Sequence, residues 1–180
     1  NVGFSPDYWI KSGLDSVDET ALRSFVKENC IAFLVENVDW TYMNDISVDG
    51  AYIAYKTGFS SRREGGGACN GEMYNFRFEN CEYGYYGEYV NDIGHMFTNG
   101  TVIAKVPVCM ADTFTTSTTF NNVSLQSTGD SAVMLSKGSM SFTDCSFSSK
   151  AETLASGTVS LNGSGSLSLV NCTFEGKGSC

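Results

Sequence analysis

A six-residue phrase recurs along this chain: an apolar residue, any residue, Asn or Asp, Cys or Val, any residue, then an aromatic or Leu. It reads Val35-Glu36-Asn37-Val38-Asp39-Trp40, Phe78-Glu79-Asn80-Cys81-Glu82-Tyr83 and Phe120-Asn121-Asn122-Val123-Ser124-Leu125. It returns as Phe142-Thr143-Asp144-Cys145-Ser146-Phe147 and Leu169-Val170-Asn171-Cys172-Thr173-Phe174. Successive starts lie 43, 42, 22 and 27 residues apart. The two long gaps are each about double a period of roughly 22 residues, which signals a solenoid. A weaker copy, Phe97-Thr98-Asn99-Gly100-Thr101-Val102, falls in the second long gap. The first long gap predicts a copy near Tyr55, although Tyr55-Lys56-Thr57-Gly58-Phe59 matches poorly.

The parity of the apolar residues says what the phrase does. Met140 and Phe142 are two apart, as on one face of a strand, and so are Cys145 and Phe147, but the two pairs have opposite parity. A straight strand would put them on opposite faces, so a corner is predicted at Asp144. The same inversion places Leu167, Leu169, Cys172 and Phe174 around Asn171, and Phe76, Phe78, Cys81 and Tyr83 around Asn80. It also predicts Phe33, Val35, Val38 and Trp40 as inward residues around Asn37. Asn and Asp tolerate the left-handed backbone that a tight corner needs. Stacked coils would then align Phe142 with Leu169, Cys145 with Cys172, and Val133 and Leu135 with Val159 and Leu161, ahead of glycine turns at Gly138 and Gly163.

These phrases resemble parallel β-helix proteins, the right-handed solenoids that include pectate-lyase-like enzymes and the repeat regions of polymorphic outer-membrane proteins. Asp144-Cys145-Ser146-Phe147 and Asn171-Cys172-Thr173-Phe174 are most similar to the latter. The resemblance covers about Phe33 to Phe174 and implies an all-β, single-stranded right-handed parallel β-helix with coils of about 22–27 residues. It brings no catalytic residue with it. A β-sandwich of short strands is the alternative architecture.

The first 32 residues depart from the repeat and are assigned to an N-terminal tail and capping helix, with residues 33–180 forming the β-helix. Ser16 and Glu19 read as a capping box, and Leu22, Phe25 and Val26 give an apolar helix face through about Asn29. The tail carries Phe4, Tyr8 and Trp9, which are expected to pack on the helix or on a neighbouring subunit. No comparable cap is read after the last phrase, which predicts an open edge and head-to-tail stacking of copies into a fibre, unless the natural protein continues past Cys180.

Composition narrows the function classes. The 180 residues carry a net charge of −9, which argues against a nucleic-acid partner. No apolar run reaches the roughly 20 residues of a membrane-spanning helix. A start without Met and seven Cys point to a processed, secreted or cell-surface protein in an oxidising compartment. Four Asn-x-Ser/Thr sequons, at Asn99, Asn122, Asn162 and Asn171, are candidate acceptors for N-linked glycans, with Asn162 in the best turn context. A corner ladder would hold the side chains of Asn122 and Asn171 against their neighbours.

Cys145 and Cys172, one strand spacing apart, fit either a disulfide or an unbonded column of buried thiols. Cys30, Cys69, Cys81 and Cys109 form the remaining disulfide pool, and Cys180 is the odd residue available to pair between chains. None shows the short paired spacing of a zinc site. His95, the only histidine, matches Met140 and Leu167 by register and is read as a core residue with no triad partner. Asp45 and Asp49 leave a calcium role open, although their spacing is not that of an EF-hand. Tyr83, Tyr85, Tyr86 and Tyr89 form an aromatic cluster, with Tyr83 read as core and Tyr85, Tyr86 and Tyr89 as ligand or interface residues.

The expectation is a non-catalytic, secreted, glycosylated structural protein that self-assembles head to tail, with no cofactor. A carbohydrate-binding or adhesive module using the Tyr-rich face is the alternative. A polysaccharide lyase or hydrolase is a third, requiring convergent acids that the repeat strands after Phe120 lack.

Overall fold

The computed structural model describes residues 2–13, 17–62, 64–68, 70–90, 94–149, 158–161 and 163–175. It is an all-β parallel solenoid of about five turns with two short helices near the N-terminus. The elements are β1 (Val2–Phe4), α1 (Pro6–Ile10), α2 (Glu19–Asn29), β2 (Ile31–Val35), β3 (Trp40–Asp49), β4 (Ile53–Thr57) and β5 (Asn70–Gly87). There follow β6 (His95–Met110), β7 (Ser117–Ser127), β8 (Val133–Leu135), β9 (Ser139–Thr143), β10 (Ser146–Ser149), β11 (Val159–Leu161), β12 (Ser166–Val170) and β13 (Thr173–Glu175).

Among the described residues every pairing between these strands is parallel, and the pairings define three faces that run along the stack. Face A stacks residues 40–44 of β3, 70–74 of β5, 95–98 of β6, 118–121 of β7, then β9 and β12. Face B stacks β1, 46–49 of β3, 76–79 of β5, 100–103 of β6, 123–126 of β7, β10 and β13. Face C stacks β2, β4, 83–87 of β5, 106–110 of β6, β8 and β11.

Between faces A and B the chain turns at Asp45, Asn75, Asn99, Asn122, Asp144 and Asn171, all with φ between 51° and 56°. This is the left-handed region, which costs a typical L-residue about 1–2 kcal/mol and which Asn and Asp enter most readily. The side chains then bond along the stack. The Asn122 amide donates to Asn99 Oδ1 at 2.9 Å, Asn171 donates to Asp144, and Asn75 donates to Asn44 Oδ1 at 2.9 Å.

The true corner phrases therefore begin at Met43, Met73, Phe97, Phe120, Phe142 and Leu169. Two of the expected copies need correction. Asn80 is a left-handed corner, φ 55°, but it lies between faces B and C, with its amide on Asp49 Oδ1 at 2.7 Å. Asn37 joins β2 to β3 without a left-handed φ, and Val38 and Trp40 are 44% and 38% exposed instead of inward. The missing copy is not near Tyr55, which sits on face C paired with Tyr85. It is Met43-Asn44-Asp45-Ile46, with Met73-Tyr74-Asn75-Phe76 after it. Both were hidden by requiring Cys or Val at the fourth position, where Ile46 and Phe76 serve the same inward role.

The interior is built from in-register columns. Phe97, Phe120 and Phe142 stack on face A with centroids 4.9 Å apart at each step, and Phe147 stacks on Phe174 at 4.8 Å. The column Val48, Phe78, Val102, Leu125, Phe147 lines face B, and Tyr55, Tyr85, Val108, Val133 lines face C, all essentially buried. Gly100 interrupts the pattern because the Phe76 ring of the preceding coil fills the space its side chain would take. The weak copy of the phrase is thus a compensated pair, with one bulky ring doing the work of two side chains.

The N-terminal segment is part of the solenoid as well as its cap. β1 pairs with β3, adding a strand to face B before the helices begin. Ser5 caps α1 through the Asp7 N–H with Pro6 at the first helical position, a start signal present in the sequence. Helix α2 is capped by Asp18, which accepts from the Ala21 N–H, so Glu19 is its first residue and not the third position of a capping box. Ser16 lies outside the described residues. Of the expected apolar helix face, Val26 is buried and its carbonyl accepts the Tyr52 N–H, Leu22 is half-buried, and Phe25 is 60% exposed. Of the tail aromatics, Phe4 meets Trp9 edge to face at 5.7 Å.

Asn122→Ala is expected to lower stability by about 1–2 kcal/mol relative to Asn122→Gly, because Gly keeps the left-handed corner and Ala does not. Urea unfolding of the two variants beside the parent checks this ordering.

Candidate functional site

Three groups of chemistry-bearing residues are brought together by the coils: a buried polar cluster, the corner ladder and the outer aromatic surfaces. The buried cluster forms where faces A and C meet. His95 Nε2 and the Tyr55 hydroxyl lie 3.0 Å apart, and Tyr85 shares a 3.0 Å hydrogen bond with Thr57 Oγ1. His95 is 3% exposed and aligns with Thr118, then Met140, then Leu167, so its core position follows the register read from the sequence. Gly71 lies against its ring, leaving no room there for a Cβ. Burial lowers the His95 pKa to about 4 and pushes the Tyr85 phenol up to about 12 and the Tyr55 phenol higher still. At neutral pH these side chains are uncharged, and Nδ1 of His95 makes no hydrogen bond within the described structure.

The cysteines are free thiols at Cys30, Cys81, Cys109, Cys145 and Cys172; Cys69 and Cys180 lie outside the described residues. Of the two readings of Cys145 and Cys172, the structure has the unbonded column. Each thiol contacts a backbone carbonyl of the preceding coil at 3.5 Å, Cys145 that of Phe120 and Cys172 that of Phe142. Burial pushes the Cys81 and Cys109 thiols up to about 11 and raises Cys145 as well, so these sulfurs are poor nucleophiles at neutral pH.

The corner ladder borders an open groove of roughly 410 Å³, with Asn99, Asn122 and Asp144 along one side and Thr101, Ser124 and Ser146 along the other. Three sequons lie on the ladder. The amides of Asn122 and Asn171 are donors within it, whereas Asn99 accepts from Asn122. Asn162 lies outside the described residues. Asp45 belongs to the same ladder, while Asp49 is held by Ser5 and Asn80 at the other corner. Asp45 and Asp49, for which the sequence leaves a calcium role open, are thus committed to different corners, and no group of three His, Cys, Asp or Glu side chains among the described residues is arranged to hold a metal.

The tyrosine cluster divides. Tyr85 is 1% exposed and belongs to the interior column, a correction to its expected surface role. Alternation places it inward with Tyr55 on face C. Tyr83, expected as core, is half-buried against Tyr52 and Tyr86, with ring centroids 5.6 and 5.5 Å away. Tyr86 also lies under Lys56, which is paired with Glu88 at 3.1 Å, and Tyr89 packs on Phe59 at 4.5 Å. A second aromatic group was missed by the sequence reading: Trp40 and Tyr42, outward on face A with centroids 5.9 Å apart. The alternation Trp40-x-Tyr42-x-Asn44 carries that signal once Asp45, and not Asn37, is taken as the corner.

Comparison with protein-family models, with curated proteins and with solved structures finds no match.

His95 generates a pH prediction. Its folded pKa lies below the ordinary 6.5, so the unfolded chain binds the extra proton first as pH falls. Its contribution is complete above about pH 6.5 and declines towards pH 4, by roughly 3 kcal/mol at most. Urea unfolding at pH 4–7 should show a flatter dependence in His95→Leu, which carries the residue found at the equivalent Leu167.

Proposed function

We propose that this protein is a secreted, glycosylated, non-catalytic structural solenoid that assembles head to tail with copies of itself. The observation that carries the reading is the exposure of the last described layer. Leu161, Leu169 and Phe174 are 47%, 41% and 42% exposed, whereas their register partners one coil earlier, Leu135, Phe142 and Phe147, are 1%, 0% and 0% exposed. A further parallel layer on this face would bury the exposed remainder of those three side chains as the preceding coils bury theirs, contributing about 1 kcal/mol for each.

A second copy is the occupant that matches the chemistry. At the other end of the stack, among the described residues, β2 and residues 40–44 of β3 pair on one side only, and Phe33, inward in register with Tyr55, is only half-buried. Parallel strands keep one direction throughout, so the two ends offer complementary hydrogen-bonding edges, and such a heterologous contact propagates without closing. The likeness of the Asp144-Cys145-Ser146-Phe147 and Asn171-Cys172-Thr173-Phe174 phrases to polymorphic outer-membrane repeats supports an extracellular surface setting. The low charge of the coils after Phe97 is in keeping with close lateral contact. For glycan attachment, the ladder favours Asn99, whose amide nitrogen is not used to bond its neighbour.

Light scattering and electron microscopy of the purified protein test the assembly. Concentration-dependent end-to-end chains are expected, dispersed to monomers by Phe174→Asp and by Leu169→Asp. A wild-type protein that stays monomeric at every concentration, including one whose own further coil covers the face, overturns the proposal. After secretion from a eukaryotic host, glycosidase treatment should reduce the intact mass, and Asn99→Gln should remove that shift.

A further inference from the structure

The outer side of face A carries an aromatic surface outside the buried core, and the end-to-end contact would use the backbone edge of its first strand but not these outward side chains. Along β3 the side chains of Thr41 and Met43 turn inward, and those of Trp40, Tyr42 and Asn44 turn outward. Trp40 is 38% exposed and Tyr42 71%, and their rings sit 5.9 Å apart, tilted by 37°. One coil further on, Glu72 is the register partner of Tyr42, and Tyr74 that of Asn44. The Tyr74 hydroxyl donates to Glu72 Oε2 at 2.8 Å, which fixes both side chains beside Tyr42. The next layer adds Met96 and Thr98.

The geometry points to this surface as a binding platform for a neutral, extended polysaccharide. Two adjacent exposed aromatic rings on the outer face of a sheet suit a ligand that is itself flat and long, since no cleft wall encloses it. The apolar C–H face of a pyranose ring covers an aromatic ring, while its rim of hydroxyls needs hydrogen-bonding partners at the edges. Asn44, Glu72 and the Tyr74 hydroxyl supply those partners on the same face. An ordered pair of tyrosines and a tryptophan offers that contact area at low conformational cost.

Charge selects among flat ligands. On the outer columns of these first three layers, the charged side chain is Glu72, with Asp45 at the adjacent corner; no Lys or Arg stands there. Nucleic acids, acidic polysaccharides and anionic lipid surfaces all need basic residues beside the stacking rings. A protein partner is disfavoured by size: Met96 on the paired outer columns and Val38 ahead of Trp40 are the aliphatic side chains beside the rings, a small patch against the roughly 800 Å² that each partner buries in a standard interface. The Tyr52, Tyr83 and Tyr86 cluster differs on this point, because Lys56 lies over it and Lys105 borders it. It serves as the internal comparison.

The chain has two tryptophans, so a Trp9→Phe background leaves Trp40 as the sole indole reporter. The probes are hexasaccharides of the β-1,4-glucan, β-1,3-glucan, β-mannan and chitin types, with polygalacturonate as the anionic arm. At least one neutral hexasaccharide should shift and intensify the Trp40 emission on titration. Tyr42→Ala, a change at an exposed ring, should weaken that affinity about tenfold or more, and Tyr86→Ala should leave it unchanged. The measurement is made on Phe174→Asp, so its outcome is separate from that of the assembly experiment. No response to any neutral glycan, a preference for polygalacturonate, or an affinity insensitive to Tyr42→Ala would each overturn the proposal.

Discussion

The left-handed corner between faces A and B is the constraint on which the rest of this fold depends. Six residues hold it at nearly the same φ, and all six are Asn or Asp. Each bend reverses the parity of the inward side chains, so one short stretch of chain can contribute Met140 and Phe142 to one wall and Cys145 and Phe147 to the next. The amide ladder then couples the corners along the stack, with Asn122 on Asn99 and Asn171 on Asp144. Without that bend the same apolar residues would fall on both sides of a flat sheet, and no closed interior would form.

Repetition of the corner brings like residues into register, and much of the interior follows from that. Phe97, Phe120 and Phe142 stack because each stands two residues before its corner. His95 is buried for the same reason, four residues before Asn99, where later coils place Thr118, Met140 and Leu167. A polar residue on an inward position must find its hydrogen bonds inside. Tyr55 supplies one, and desolvation holds the imidazole neutral. The thiols at Cys145 and Cys172 behave likewise, as small apolar residues in a column, each resting on a carbonyl one coil away.

The surfaces proposed to bind or assemble arise where the repeat is broken or where the described layers stop. The last described layer repeats the inward pattern with nothing on it, exposing Leu169 and Phe174, and this supports assembly by stacking. The first layers carry aromatics on outward positions where later coils carry Ser and Thr, as at Trp40 and Tyr42 against Thr119, Ser141 and Ser168. A regular solenoid thus supplies a scaffold, and departures from its polar exterior are where the proposed contacts lie.

The sequence by itself determined the parallel solenoid, the corner at Asn122, Asp144 and Asn171, the pairing of Val133 with Val159, and the core position of His95. These depend on parity and spacing along the chain, which are local properties. It misplaced Trp40 and Tyr85, because an aromatic residue has the same character on either side of a strand, and only the corner position says which side faces in. It also missed Asp45 and Asn75, where Ile46 and Phe76 replace the expected Cys or Val; what one coil's interior accepts depends on its neighbours, as with Phe76 over Gly100. Whether Cys145 and Cys172 were bonded, where α2 would dock and which aromatics remained in solvent were decided by contacts between coils. Those contacts join residues more than 20 positions apart, where the repeat spacing says which residues come into register but not how their side chains pack, bond or are covered.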